Sequence, residues 1–246
     1  MIRFENVTKK FGDRVVLDDL SFTVGKGELF AVVGPSGVGK SVTLKHIVGL
    51  LAPDSGSIRL AGEEVCHADD RRLEKLRERC GYLFQSGALL GWMTVAENIA
   101  LPLTEKTRLS DDEINERVGR MLELTGLAGA GDRMPAEISG GMQKRAGVAR
   151  ALIAEPEIML FDEPTSGLDP VMSKSIHELI RSLNLKFGVT GVMVTHDIAG
   201  ALQVADRIAL LKDGKFKAVL TPQEFRSSEI AEVREFVDAA LDPGNM

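Results

Sequence analysis

Leu29-Phe30-Ala31-Val32-Val33-Gly34-Pro35-Ser36-Gly37-Val38-Gly39-Lys40-Ser41 decides the fold. Five apolar residues in succession are what a strand needs when both its faces are buried in a parallel sheet. The next eight, Gly34 to Ser41, match G-x-x-x-x-G-K-S, in which glycines let main-chain N–H groups close around phosphate oxygens without Cβ clashes. A helix is expected to start there, because its N-terminus adds positive character at the phosphate. Leu44, Ile47, Val48 and Leu51 supply that helix with an apolar stripe. Strand, loop and helix in this order imply a nucleoside triphosphate site built from Gly34, Pro35, Ser36, Gly37, Val38, Gly39, Lys40, Ser41 and Val42. Lys40 is expected to reach the β- and γ-phosphates, and the Ser41 hydroxyl to coordinate Mg2+.

Working outward, Ile158-Met159-Leu160-Phe161 reads as a second buried strand, ending in Asp162-Glu163. Two acids at a strand end are by themselves a common helix cap or solvated turn. Downstream of the phosphate loop they gain roles: Asp162 holding Mg2+, directly or through water, and Glu163 orienting or deprotonating the attacking water. Val192-Met193-Val194-Thr195 is a third buried strand, and it should end at the same sheet edge and present His196 to the γ-phosphate. The other histidines, His46, His67 and His177, are read as surface or satisfied core residues. Gln85 closes a strand-like Gly81-Tyr82-Leu83-Phe84, and its amide is a candidate for the Mg2+ and water shell.

Further out, Ile2, Phe4 and Val7 alternate, and Gly12-Asp13 turns the chain before Val15, Val16 and Leu17, so the N-terminus reads as strands. Ile208 to Leu211 adds another buried strand. Between Gln85 and about Glu155 helical patterns dominate, with capping boxes at Thr94-Val95-Ala96-Glu97 and Ser110-Asp111-Asp112-Glu113. Asp169 should N-cap a long helix with Pro170 in its first turn and Ile176, Leu179, Ile180 and Leu183 facing inward. The tail repeats Ile230, Val233, Val237 and Leu241 at near-helical spacing, which predicts a helix docked on the chain's own core, with docking on a neighbour as the alternative. The expected fold is α/β: a P-loop nucleotide-binding core with a mainly parallel sheet, an N-terminal antiparallel β region and an inserted helical lobe. Residues 1–85 and 156–220 form the core, 86–155 the lobe and 221–246 a C-terminal helical extension.

A second glycine-rich helix entry lies inside the lobe. Ser139 can N-cap a helix carrying Val148, Ala149, Leu152 and Ile153, leaving the N–H groups of Gly140 and Gly141 exposed at its positive end. One nucleotide can touch two such sites, and the two need not belong to the same molecule.

Composition limits the alternatives. A formal charge of −6 over 246 residues argues against a nucleic-acid binder driven by overall charge. The two cysteines, Cys66 and Cys80, lack zinc-site spacing and are too few for a disulfide framework, so both are read as reduced thiols. No apolar run is long enough to span a bilayer, and Met1-Ile2-Arg3-Phe4-Glu5 has no secretory h-region, which predicts a cytoplasmic chain.

The motifs in this order resemble the nucleotide-binding subunit of ATP-binding cassette (ABC) transporters, over essentially the whole chain. The resemblance implies that Phe11 stacks on adenine, that Gln85 is the Q-loop, and that Ser139, Gly140 and Gly141 belong to the signature motif. Ser166-Gly167-Leu168-Asp169 resembles the D-loop, with Asp169 at its end, and His196 the switch histidine. It further implies a homodimer in which the signature residues of one subunit bind the γ-phosphate of the ATP held by the other. The signature departs from the commonest form: Ile138 stands for Leu, and Met142 takes a position usually held by Gln, with Gln143 next. Gln85-Ser86-Gly87-Ala88-Leu89-Leu90, Met93-Thr94-Val95-Ala96-Glu97-Asn98, Leu101-Pro102-Leu103 and Ile138-Ser139-Gly140-Gly141-Met142 are similar to the ATPases of MCE-type (Mla-like) phospholipid transporters. That likeness implies ATP and Mg2+ as cofactors and a multi-spanning permease and an MCE-domain lipid-binding protein as partners. It also implies a peripheral position on the cytoplasmic side of the inner membrane, with a groove near Gln85 for the permease. The competing readings are an importer ATPase for amino acids or another small solute, a non-transport ABC ATPase, and a non-hydrolytic nucleotide sensor.

Overall fold

Three short strands with no exposed residue organise the molecule. The computed structural model describes residues 1–241, so 242–246 of the expected extension, and the Leu241 side chain, lie outside what is described. The chain opens with an antiparallel hairpin, β1 (Ile2–Phe11) and β2 (Arg14–Val24), and enters the centre as β3 (Leu29–Val33). The phosphate loop leads to α1 (Lys40–Ile47), followed by β4 (Ser55–Leu60), β5 (Glu63–Glu64), α2 (Asp70–Glu78) and β6 (Cys80–Leu83). Then come α3 (Val95–Lys106), α4 (Asp111–Leu124), a 3-10 turn at Pro135–Glu137 and α5 (Gly140–Leu152), with no described strand before β7 (Ile158–Asp162). The remainder alternates: α6 (Pro170–Phe187), β8 (Thr190–Thr195), α7 (Ile198–Val204), β9 (Arg207–Lys212), β10 (Lys215–Leu220), α8 (Pro222–Arg226) and α9 (Ala231–Leu241).

Six strands form one sheet in the order β10-β9-β3-β8-β7-β6, parallel except for the β9–β10 pair, and four form a second, antiparallel sheet in the order β2-β1-β4-β5. Strand parity divides the interior. Leu29, Ala31 and Val33 join one core with Met159, Phe161, Met193 and the helices α3 to α7, while Phe30 and Val32 join Ile158, Leu160, Val192 and the antiparallel sheet in another. Alternate side chains of a strand point to opposite faces, so a strand covered on both sides needs the unbroken apolar run that β3 has. Each fully buried Leu, Ile or Phe contributes about 1.5–3 kcal/mol relative to exposure.

The expected helix start signals operate: Thr94 and Ser110 close complete capping boxes, and the Asp169 carboxylate accepts from Val171 and Met172 N–H at 2.9 Å. One expected stripe is shorter than its pattern. α1 ends at Ile47 because Gly49, at φ +63°, turns the chain, so Leu51 lies beyond the helix, its N–H bonded back to the Lys45 carbonyl. In the tail, Val233 and Val237 are buried in the main core while Ile230 is exposed.

Candidate nucleotide site

The parallel strands deliver their carboxyl ends to one edge of the sheet, and the chemistry gathers there. β3 ends at Val33 and the chain turns immediately through Gly34, whose φ of +155° and contact with the Leu211 carbonyl leave no room for a Cβ. α2 to α7 each start on a residue whose side chain accepts a main-chain N–H. α1 instead starts on Gly39, in the left-handed region at φ +112°, with no side-chain cap. Its first-turn N–H groups therefore remain available to an anion.

Lys40 is almost fully buried and folds back over this loop, donating to the carbonyls of Gly34 at 2.8 Å and Pro35 at 3.1 Å. Its ammonium stands 3.4 Å from Glu163 Oε1. Ser41 donates its hydroxyl to Asp162 Oδ1 at 2.7 Å, and Tyr82 donates to Asp162 Oδ2 at 3.1 Å. Burial, with the Asp162 charge beside it, pushes the Tyr82 phenol well above its ordinary value, so it stays a donor. Glu163 follows β7 at φ +48°, an uncommon conformation for a side-chain-bearing residue, and its N–H bonds the Val194 carbonyl at 2.9 Å. That turn aims its carboxylate between Lys40 and His196, whose Nδ1 lies 2.7 Å from Oε2 and whose main-chain N–H donates to it at 3.2 Å. The other imidazole nitrogen faces away from this contact.

Phe11, Ser36, Gly37, Gly39, Lys40, Ser41, Val42, Gln85, Glu163 and His196 line one cavity of about 570 Å3. Gly34 and Pro35 contribute carbonyls to Lys40 beneath it, Val38 packs on the core under the antiparallel sheet, and Asp162 is reached through Ser41. Phe11 is half exposed at the rim, with the Lys9 ammonium 5.5 Å from its ring centroid. The Gln85 amide donates to Ser166 Oγ at 3.1 Å rather than to Asp162 or Ser41.

Ser139, Gly140 and Gly141 do not line this cavity. Ser139 caps α5, accepting the Met142 N–H at 3.3 Å, and Gly141 packs against Met172 at the start of α6. Met142 packs on the core, and the Gln143 amide donates to the Pro135 carbonyl at 2.9 Å, bracing the turn ahead of the signature.

Three groups at the site escaped sequence reasoning. Tyr82 reads only as part of a strand-like run, and no role is read for Lys144, which donates to the Gln85 carbonyl, or for Arg14, which donates to the Gly37 carbonyl at 3.1 Å. Two histidines also differ from expectation. His46 and His177 are buried, but each has an Nε2 without a protein partner, so neither is a fully satisfied core residue. Burial lowers the proton affinity of both.

Comparison with known proteins converges on one family. The ABC transporter family profile matches residues 17–166. The chain is 40% identical over 242 residues, 98% of its length, to the intermembrane phospholipid transport system ATP-binding protein MlaF of Haemophilus influenzae, covering 92% of that protein. It is 40% identical to MlaF of Escherichia coli K12, covering 98% of this chain and 90% of that one. It is also 41% identical, over 96% of its length and 66% of the relative's, to a probable ribonucleotide transport ATP-binding protein, mkl, of Mycobacterium bovis. Among solved structures, a dimeric ATP-binding cassette in a post-hydrolysis state with ADP and Pi aligns with a TM-score of 0.82 at 35% identity, over 90% of this chain and 99% of that one. The cbiO1 component of a Clostridium perfringens ABC transporter complex aligns at 0.85 and 29% identity, over 98% of this chain and 95% of that one.

Proposed function

The chain belongs to the ABC transporter family as an ATP-hydrolysing cassette, and we propose that it works as a homodimer driving phospholipid movement through a multi-spanning permease. The observation that carries the reading is the meeting of Lys40, Ser41, Glu163 and His196 in one cavity, with Asp162 beneath. Lys40 and the uncapped start of α1 bind the phosphates, and Phe11 offers a rim surface for the base. On phosphate binding Lys40 exchanges Glu163 for phosphate oxygens, freeing that carboxylate to orient a water and take its proton. His196 holds the carboxylate and turns its second imidazole nitrogen toward the γ-phosphate. Gln85, donating to Ser166, ties the cavity wall to the D-loop that ends at Asp169. Ser41 Oγ and the Asp162 carboxylate are paired hard oxygens that fit Mg2+, which would neutralise charge on the phosphate oxygens.

Ser139 and Gly140 are exposed and Gly141 is buried against Met172, at a helix N-terminus that does not line its own chain's cavity, which supports a role in completing the site of a second copy. A groove of about 460 Å3 beside Tyr82, Phe84, Leu101 and Pro102, where Phe84 is 45% exposed, supports a docking surface for the permease there. No described helix is long and apolar enough to cross a membrane, which accords with a peripheral subunit held at the cytoplasmic side of the inner membrane by its permease. Two relatives named for intermembrane phospholipid transport favour that cargo, to which the proposal adds an MCE-domain lipid-binding partner, whereas the mycobacterial relative named for ribonucleotide transport favours a small solute. Purifying the intact complex from membranes and identifying its co-purifying subunits and bound small molecules by mass spectrometry distinguishes them. Phospholipid with an MCE-domain subunit is expected; a solute-binding subunit with no lipid would overturn the cargo assignment.

A further inference from the structure

The helix behind Ser139 is fastened along one side to the segment that carries Gln85. Lys144, in the second turn of α5, is 5% exposed, and no described carboxylate lies within ion-pair distance of it. Its ammonium instead donates to the main-chain carbonyl of Gln85 and lies 3.5 Å from that of Glu163. One turn on, Gly147 is the point of closest approach: a Cβ there would stand 2.7 Å from Leu83 Cδ1 and 3.2 Å from the Gly87 carbonyl oxygen. A further turn on, the Arg150 guanidinium forks onto the carbonyls of Gly87 and Ala88, at 2.8 Å each. Gly87 accepts its φ of +74° without cost, but Ala88 next to it stands at +48°, a conformation that a side-chain-bearing residue does not favour alone.

A buried ammonium bonded only to carbonyls is costly, since desolvation is repaid by neutral acceptors. Burial lowers its proton affinity, while the nearby charges of Glu163 and Asp162 favour the charged form. Lys144 touches the main chain on both sides of the reacting site, and one of its two acceptors belongs to Glu163, whose φ of +48° has to be maintained. We infer that Lys144 is a positioning residue for ATP hydrolysis: it sets the Glu163 carboxylate through that residue's main chain and links it to the helix opening on Ser139. The inference rests on the role assigned to Glu163 above.

The test uses the purified full chain with Lys144→Met, which keeps the buried stem and removes the donor, and Lys144→Arg, which keeps a cationic donor. Each is made alone and with Glu163→Gln. Loss of alignment is expected to cost Lys144→Met about 10- to 100-fold in kcat, with KM and ATP affinity within about twofold of the parent. Its melting temperature should change little, because losing a desolvated charge offsets leaving the Gln85 and Glu163 carbonyls without that donor. Lys144→Arg should recover most of the rate, and Lys144→Met should add nothing to the loss caused by Glu163→Gln. The inference is overturned if Lys144→Met turns over within twofold of the parent while Glu163→Gln is inactive. Rate, ATP binding and melting temperature falling together without rescue by Arg, or additive losses in the double variant, would also overturn it. Parental turnover by Glu163→Gln would remove the site assignment, and this inference with it.

Discussion

Glu163→Gln should separate ATP binding from hydrolysis, and the structure supplies the magnitudes. The carboxylate is held at three points: His196 N–H at 3.2 Å and Nδ1 at 2.7 Å on Oε2, and the Lys40 ammonium 3.4 Å from Oε1. Glutamine keeps the shape and can keep its oxygen on His196, but it cannot accept the water's proton. A positioned base contributes about 10²- to 10⁴-fold, which is about 3–5 kcal/mol of barrier. Binding moves the other way. At 3.4 Å the Lys40–Glu163 attraction is roughly 5 kcal/mol at an effective dielectric near 20, a gross figure that phosphate must displace. Most of it is recovered when the phosphates replace the carboxylate, and a surviving gain of about 1 kcal/mol makes ATP bind roughly fivefold tighter. Single-turnover hydrolysis of γ-labelled ATP reads the first effect. An equilibrium titration and size-exclusion chromatography read the second, with an ATP-bound dimer accumulating. Turnover within threefold of the parent, or clearly weakened ATP binding, would refute the roles assigned to Glu163 and Lys40.

Three further outcomes follow from particular contacts. Tyr82→Phe keeps the ring stacked on Phe84 but strips one donor from the buried Asp162 carboxylate, which should cost about 1.5–2 kcal/mol in urea unfolding; a loss under 0.5 kcal/mol contradicts the contact. Gly147→Val pushes side-chain atoms into Leu83 and the Gly87 carbonyl and should destabilise by about 1–3 kcal/mol, whereas parental stability would mean that α5 is not tightly seated. His46 and His177 are held below their ordinary 6.5 by burial, so the unfolded chain binds more protons as pH falls below that value. Their stabilising contribution is therefore complete above pH 6.5 and is lost toward their lowered values, with a slope of at most about 1.4 kcal/mol per pH unit per histidine. His46→Gln should flatten the urea midpoint between pH 7 and 5, and an unaltered curve would show that His46 does not contribute.

What the sequence made readable was local. Leu29 to Val33 announces a two-faced strand because both of its neighbouring layers need apolar residues, and the glycine loop after it can do little else. The boxes at Thr94 and Ser110 and the cap at Asp169 close within three residues, so spacing alone finds them. Tyr82 and Lys144 were not legible because their partners are distant in the chain: Tyr82 bonds a residue 80 positions away and Lys144 one 59 positions away. Nothing near Lys144 in sequence says that its helix is seated on Gly87. Leu51 misled for the opposite reason, since it continues a helical spacing that Gly49 interrupts. β4 and β10 carry mixed small, charged and apolar residues, Ser-Gly-Ser-Ile-Arg-Leu and Lys-Phe-Lys-Ala-Val-Leu, whose strand character depends on the neighbours they pair with.

The central claim is that Lys40 of one subunit and Ser139 of the other serve the same ATP. Single-turnover hydrolysis by mixed dimers of Lys40→Ala and Ser139→Arg chains tests it most directly. Each variant alone spoils both shared sites and should be inactive. A hybrid dimer regains one intact site, so an equal mixture should recover roughly a quarter of the parental sites. If each chain completed its own site, every chain in the mixture would remain broken and no hydrolysis would return.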